Sequence, residues 1–468
     1  MAAAETTRCS TMEADTAASE RMSAADHLMW IGDRDPALRS TVVSVAVFDG
    51  EPSANALEAR YERMSHAVLR LRQRVRANPM SIAPPRWELD PHFDLANHVS
   101  WIDGHGTHDM DDVLAIAAAK ALEPFPTQRP LWEATAVAGL PGDRFALIQK
   151  VHHAITDGIN GVKMQLELFD FEPQPQLPAA PGLPDHIPLN QVERMGDAVR
   201  WDLRRRADSL AGARRGMATM RQSPTDTAGA AVAAATSLAR LAIPAGEPLS
   251  SVLRGRSHER RFATLTLPMV EAKAAGHAAG TKLNAVFLAG LSVGLASYHR
   301  SHDVNQAQLR LGIPISTRTG DSENNAFVGT RFLLPLVYDD IPSLLRTTQQ
   351  LVTSNAAEPA LGLLPALGAQ VTRLPTPVAT RLFRSMMGGL DLQASNVPGS
   401  PLPMYLLGRP LLHQFPFGPT TTAALNVTLL SYVDQLDLGV AMNTGAVDDP
   451  DELIAHLSDG FDEVLAPG

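Results

Sequence analysis

His152-His153-Ala154-Ile155-Thr156-Asp157-Gly158 is the most informative stretch of this chain. Before it, residues 144–151 (Arg-Phe-Ala-Leu-Ile-Gln-Lys-Val) have the mostly apolar character of a buried strand. After it, Ile159, Val162, Leu166 and Phe169 recur at helical spacing. The two histidines therefore belong at the end of a strand, in the loop before a helix. Loops held by rigid elements are where catalytic side chains are usually mounted.

The residue types in this loop suit proton transfer. A neutral imidazole takes a proton from an alcohol or thiol near pH 7, because its reference pKa is about 6.5. His153 is the candidate general base. Asp157 is placed either to accept from an imidazole or to brace the loop against a cation. Neighbouring histidines rarely face one ion, and the helical H-E-x-x-H spacing is absent, so a metal site is disfavoured. The competing reading is a pair of core histidines with a helix-capping aspartate. The full seven-residue pattern at a strand-to-helix junction favours the catalytic reading.

Working outward, the 468 residues, 45% hydrophobic, suffice for more than one core and predict two or three domains. Cys9 is the single cysteine, in an N-terminal tail expected to be disordered. This excludes a disulfide framework and a cysteine nucleophile in a folded region, and fits a reducing cytoplasm. A net charge of −10 argues against nucleic acid as the main partner. Residues 1–22 lack the basic start and apolar core of a secretion signal. No run of about 18 apolar residues occurs; residues 283–298 come nearest and read as a buried helix. A soluble or peripheral protein is expected.

Ser23 and Asp26 have the spacing of a capping box opening a short helix through Trp30. Residues 41–48 read as a strand, 54–72 and 111–121 as helices, and 131–137 with 144–151 as a hairpin. Six prolines between Pro173 and Pro188 mark an extended connector. Residues 189–222 read as an arginine-rich helix, and 228–241 as an alanine-rich one. The arginine-rich helix has two readings, a basic face for anionic lipid or a solvated helix laced with ion pairs. From residue 261 alternating α and β signals resume: strands at 262–267 and 309–315, a hairpin over 424–442, and helices at 284–298 and 451–464.

The motif resembles the HHxxxDG signature of the chloramphenicol-acetyltransferase-like, CoA-dependent acyltransferases and of peptide-synthetase condensation domains. Within that superfamily the chain is similar to the bacterial wax ester synthase/diacylglycerol acyltransferases. Arg129-Pro130-Leu131-Trp132-Glu133 with Gly139-Leu140 resembles the family's PLWE…GL segment, and Phe93-Asp94-Leu95 with Asn97-His98-Val99 its FDLxxHV segment. Pro314-Ile315-Ser316-Thr317-Arg318 resembles P-[VI]-S-x-R, and Ser395-Asn396-Val397-Pro398-Gly399 matches SNVPG. These run collinearly from about Ser23 to the C-terminus. Three positions depart: Ala285 stands where the family's NDVVLA segment has aspartate, Asn324-Asn325 stands for Gly-Asn, and Ser400 follows SNVPG where proline is common.

The resemblance implies an α/β fold of two chloramphenicol-acetyltransferase-like lobes with an active-site channel between them. The expected division is a tail at 1–22, an N-terminal lobe at 23–172, a Pro-rich connector and basic helical linker at 173–260, and a C-terminal lobe at 261–468. It implies that His153 faces the substrate while His152 supports the loop, and that Arg318 pairs with Asp157, a lock to which Gly158 also belongs. Trp132 is expected to pack beneath the site. Asn284, Ser395 and Asn396 are expected along the channel, SNVPG as wall or crossover, since it lacks the G-x-S-x-G of a nucleophile elbow. The implied reaction is O-acyl transfer from a long-chain acyl-CoA, a substrate rather than a cofactor, to diacylglycerol or a long-chain alcohol, with no cofactor and no metal. A cytoplasmic enzyme, peripheral at a membrane or lipid droplet, is expected. Two alternatives remain at this point: a condensation-like acyltransferase with a carrier-bound donor, and a weakly active lipid-binding paralogue.

Overall fold

The apolar run leading into the paired histidines lies inside a sheet. In chain order the elements are α1 (Ala24–Gly32), β1 (Thr41–Asp49), α2 (Ala54–Ala67), β2 (Gln73–Arg76), β3 (Arg86–Leu89), β4 (Val99–Asp103), α3 (Met110–Leu122), β5 (Trp132–Leu140), β6 (Arg144–His152), α4 (Gly158–Leu168) and α5 (Gln191–Gln222). There follow β7 (Arg260–Pro268), α6 (Met269–Ala278), α7 (Leu283–Ser301), β8 (Gln308–Ser316), β9 (Phe327–Pro335), α8 (Ile341–Ala356), α9 (Thr376–Met387), β10 (Leu392–Val397), β11 (Tyr405–Leu406), β12 (Arg409–Phe417), β13 (Leu425–Tyr432), β14 (Gln435–Asn443) and α10 (Pro450–Leu465). This computed structural model describes residues 21–78, 82–104, 108–156, 158–176, 179–184, 189–222, 246–316, 327–356, 368, 371–419 and 422–466. Asp157, Arg318, Asn324, Asn325, the 228–241 stretch and Cys9 lie outside the described residues.

Local chemistry sets the element ends. Ser23 caps α1, its Oγ accepting from Asp26 N at 3.1 Å. The β5–β6 turn holds Gly142 and Asp143 at φ 78° and 56°. The expected 54–72 helix stops at Ala67 and continues as a 3₁₀ turn over Leu69–Arg72. Val68 and Leu71 are both buried, and a 3₁₀ turn aligns residues three apart, which points the two at one core.

The first sheet has the order β11-β12-β1-β6-β5-β4, with β1 antiparallel to both β12 and β6. Every residue of β6 after Arg144 is buried. The second sheet runs β7-β14-β13-β10-β8-β9, with α7 and α10 crossing against it. A side chain at Gly290 or Gly294 would collide with Phe461 or the backbone near Leu457, so these glycines set the closeness of that crossing. Among the described residues no single helix is long and apolar enough to cross a membrane.

The two sheets define two lobes, and β12 joins them. Although it follows β10 of the second sheet in sequence, it pairs with β1 of the first. Its His413 Nδ1 and Gln414 N contact the fully buried Asp437 carboxylate of β14 at 3.1 and 2.8 Å. Phe417 of β12 stacks on Phe262 of β7, ring centroids 4.1 Å apart. An apolar cluster including Val43, Ile148, Phe415, Phe417, Phe262 and Ala441 fills the junction. The segment leading into β12 contains Gly399, whose absent Cβ would lie 2.0 Å from Ser431 O. Only glycine permits that approach.

Candidate functional site

The histidines close a small ring of contacts at the end of β6. His152 is its last residue, 1% exposed, and its N donates to Leu131 O at 3.0 Å. Its Nδ1 accepts from Ala154 N at 3.0 Å. A backbone N–H can only donate, so Nδ1 carries no proton and Nε2 is left to carry it. That Nε2 lies 3.1 Å from Asp33 Oδ2, off the line of a straight hydrogen bond. Asp33 caps the C-terminal end of α1, and its Oδ1 accepts from Ser40 N at 2.8 Å. Ser40 O in turn accepts from His153 N at 2.8 Å. The ring runs Asp33, Ser40, His153, His152 and back to Asp33.

His153 is half-buried and its Nδ1 is enclosed. Burial pushes its pKa below the ordinary 6.5; the nearby Asp26 charge opposes this, and His152 adds to it. Such a ring is neutral at pH 7, the state a general base requires. Thr156 Oγ1 donates to His153 O at 3.2 Å, and Ile155 N to His152 O at 2.9 Å, tightening the loop before α4 begins at Gly158.

Two carboxylates of the first helix and its cap also face the histidines: the sequence gives Asp26 only a capping role and does not single out Asp33. Asp26 and Asp33 are seven residues apart, two turns, and so share a side of α1. One sits near His153 and the other touches His152. The seven-residue spacing was visible; what it faced was not.

Trp132 is buried at 2%, donates Nε1–H to Leu71 O at 2.8 Å, and stacks between Tyr61 and His98. It is part of the first lobe's core, one position after Leu131, which holds His152 N. His98 gives the FDLxxHV segment its anchor, its Nδ1 2.7 Å from Trp132 O. Asn284 at the start of α7 and Asn396 on β10 come together, Asn396 Nδ2 donating to Asn284 Oδ1. Ser395 precedes that pair on β10, and Gly399 N donates to Ser431 Oγ at 3.1 Å as the chain turns toward the first sheet. Ala285 is fully buried in α7, where the family's aspartate would place a carboxylate.

Comparison with known proteins finds similarity over nearly the whole chain. The family model for the wax ester synthase/diacylglycerol acyltransferase catalytic domain covers residues 12–287, and that for the family's C-terminal domain covers 325–464. A Mycobacterium tuberculosis protein named as a diacylglycerol O-acyltransferase is 32% identical over 96% of this chain and 92% of its own. A second from the same organism is 26% identical over 93% of each. In fold, the chain is similar to the wax ester synthase/diacylglycerol acyltransferase of Marinobacter aquaeolei VT8 (TM-score 0.60, 20% identity, 91% and 94% covered). It is also similar to the first condensation domain of the calcium-dependent antibiotic synthetase (TM-score 0.57, 17% identity, 96% of each). On both matched domains and on relatives spanning its length, the chain belongs to the wax ester synthase/diacylglycerol acyltransferase family and is an acyltransferase.

Proposed function

We propose that the protein moves a long-chain acyl group from acyl-CoA to the hydroxyl of diacylglycerol or of a long-chain alcohol, with His153 as general base. The observation that carries this is the contrast in setting between the two histidines. His152 is sealed in and fixed in one tautomer, while His153 keeps exposure and a lowered pKa. His153 takes the hydroxyl proton as the oxygen attacks the thioester carbonyl. The C–S bond then breaks and the leaving thiolate takes the proton back from the imidazolium. The scheme needs no acyl-enzyme, cofactor or metal. Asp157 paired with Arg318 would hold the loop, and backbone N–H groups near Gly158 would receive the developing charge on the carbonyl oxygen. Ser395, Asn396 and Asn284 would flank the channel between the lobes.

The names of the relatives support diacylglycerol as acceptor, and the family's description adds fatty alcohol. The test is transfer from radiolabelled palmitoyl-CoA to diacylglycerol or hexadecanol. His153→Ala should lower the rate about 10²–10⁴-fold; retention of a tenth of wild-type activity removes His153 from the mechanism. Turnover of a carrier-bound acyl group with none of free acyl-CoA would instead favour the condensation-like alternative.

Peripheral association with a membrane or lipid droplet, on the cytoplasmic side, is the companion proposal, and α5 supports it. One side of α5 is fixed to the first lobe: Arg194 pairs with Glu88 at 3.4 Å, and Asp197 with Arg86 at 2.6 Å. On another, Val192, Val199, Leu203 and Leu210 are 81%, 41%, 61% and 65% exposed. At 3.6 residues per turn these four fall within about 20° of one line along the helix. Exposed Arg200, Arg204 and Arg206 flank that line, the arrangement of a surface-seeking helix. The Arg206–Asp202 pair at 2.6 Å is the feature expected of a solvated helix.

A further inference from the structure

Its place at a helix end does not account for Asp33. It caps the C-terminal end of α1, and no basic residue occupies that helix's last turn. A carboxylate there meets the negative end of the helix dipole, where a cation or neutral residue is favoured. A residue that is unfavourable for its own helix is explained by what its side chain reaches. Its two oxygens contact the residue before β1 and the last residue of β6, Oδ1 at Ser40 N (2.8 Å) and Oδ2 at His152 Nε2 (3.1 Å).

We propose that Asp33 is a positioning residue for acyl transfer, holding the ring of His152 in its Nε2–H tautomer and, through Ser40, the backbone of His153. It touches no reacting atom. The inference rests on the acyl-transfer reading of His153 only for its effect on rate. Ala154 N–H forces the proton onto His152 Nε2. The neighbouring Oδ2 is the group that favours a proton there. Ser40 is held at N by Asp33 and holds His153 at O, so movement of the Asp33 carboxylate is passed to His153 through one residue. A shift of about 1 Å in a catalytic group costs on the order of 100-fold in rate.

Asp33→Asn separates positioning from helix capping. Asparagine suits a helix C-terminal end as well as or better than aspartate. One amide oxygen, however, cannot both accept from Ser40 N–H and lie against His152 Nε2–H, and the amide NH₂ turned toward either is a donor facing a donor. We expect kcat for palmitoyl-CoA transfer to fall about 10–100-fold. KM should stay within about threefold, and the thermal midpoint within about 2 °C of wild type. A kcat within about threefold of wild type overturns the proposal; so does a loss of kcat matched by a large fall in thermal midpoint. The second measurement is on the wild-type protein itself, through the ring ¹⁵N shifts of its histidines, with His152 assigned by its loss in His152→Gln. Nδ1 should show the shift of an unprotonated ring nitrogen and Nε2 that of a protonated one. The reverse tautomer, or averaging between the two, also overturns it. Wild-type protein that transfers no acyl group would sink the function reading, while the nitrogen shifts would still decide Asp33.

Discussion

Arg60→Ala should be among the most damaging substitutions outside the histidine loop. Arg60 projects from α2, with 3% of its side chain exposed, and grips Asp170 with two parallel hydrogen bonds of 2.8 Å. Its Nη1 also donates to Leu168 O, the last residue of α4, at 2.9 Å. The Asp170 side chain is likewise 3% exposed. Truncating the arginine leaves that carboxylate buried without its partner, which costs about 3–5 kcal/mol. The loss reaches further than two side chains. Asp170 exchanges backbone hydrogen bonds with Tyr405 of β11, N to O at 2.8 Å in both directions. The pair therefore fixes where α4, which starts in the histidine motif, meets the strand segment returning from the second lobe. At about 2–4 °C per kcal/mol for a unit this size, the thermal midpoint should drop by about 6–20 °C. Circular dichroism melts and urea titrations at pH 7 measure it. Asp170→Asn in the Arg60→Ala background removes the stranded charge and should restore part of the loss. A single-mutant loss under about 1 kcal/mol, or a double mutant as bad as the sum of the two singles, would show that the buried pair does not hold α4 in place.

Three further outcomes are expected. The acid limb of kcat/KM should lie below the ordinary imidazole value of about 6.5, since burial lowers the His153 pKa; Asp26→Asn removes the charge that opposes this and should move the limb lower still, and a limb moving upward contradicts the assignment. Stability should fall as pH drops from about 6.5 toward 4: burial lowers the His27 pKa to about 4, so the unfolded chain takes up a proton that the folded one refuses. Urea midpoints across that range test it, and His27→Leu should flatten the slope; an unchanged slope speaks against it. Leu203→Ser with Leu210→Ser should weaken binding to vesicles containing anionic lipid without lowering the thermal midpoint; vesicle binding equal to wild type would leave the solvated-helix reading of α5.

Much of the fold was legible because its signals are local. Residues 144–151 form a buried strand because β6 is covered on both faces. The two hairpins follow from turn residues at 141–143 and 433–434, and the Ser23-x-x-Asp26 cap is contained within four residues. The histidine pair was found for the same reason. What could not be read depends on contacts between distant parts of the chain. Asn284 and Asn396 each stand in a recognisable segment, but their hydrogen bond joins residues 112 apart. Asp33 carries no pattern of its own, since its role exists only once α1 lies beside the end of β6. Nor does 409–417 announce which sheet it will join, since its partner β1 lies near the other end of the chain.

That choice has a consequence for the order in which the protein is made. β1 is synthesised early and can pair with β6 about a hundred residues later, yet its opposite edge is completed by β12, across a separation of about 370 residues. At ordinary translation speeds that interval lasts roughly 20–70 s. Throughout it the nascent first lobe presents an open strand, Thr41–Asp49, rich in valine, the kind of edge on which chains pair with one another. Pairing at such long range is also intrinsically slow once synthesis is complete. Folding of this enzyme should therefore depend on chaperone cover and low expression rate far more than its native contacts would indicate, and a fragment ending before residue 409 should aggregate through β1.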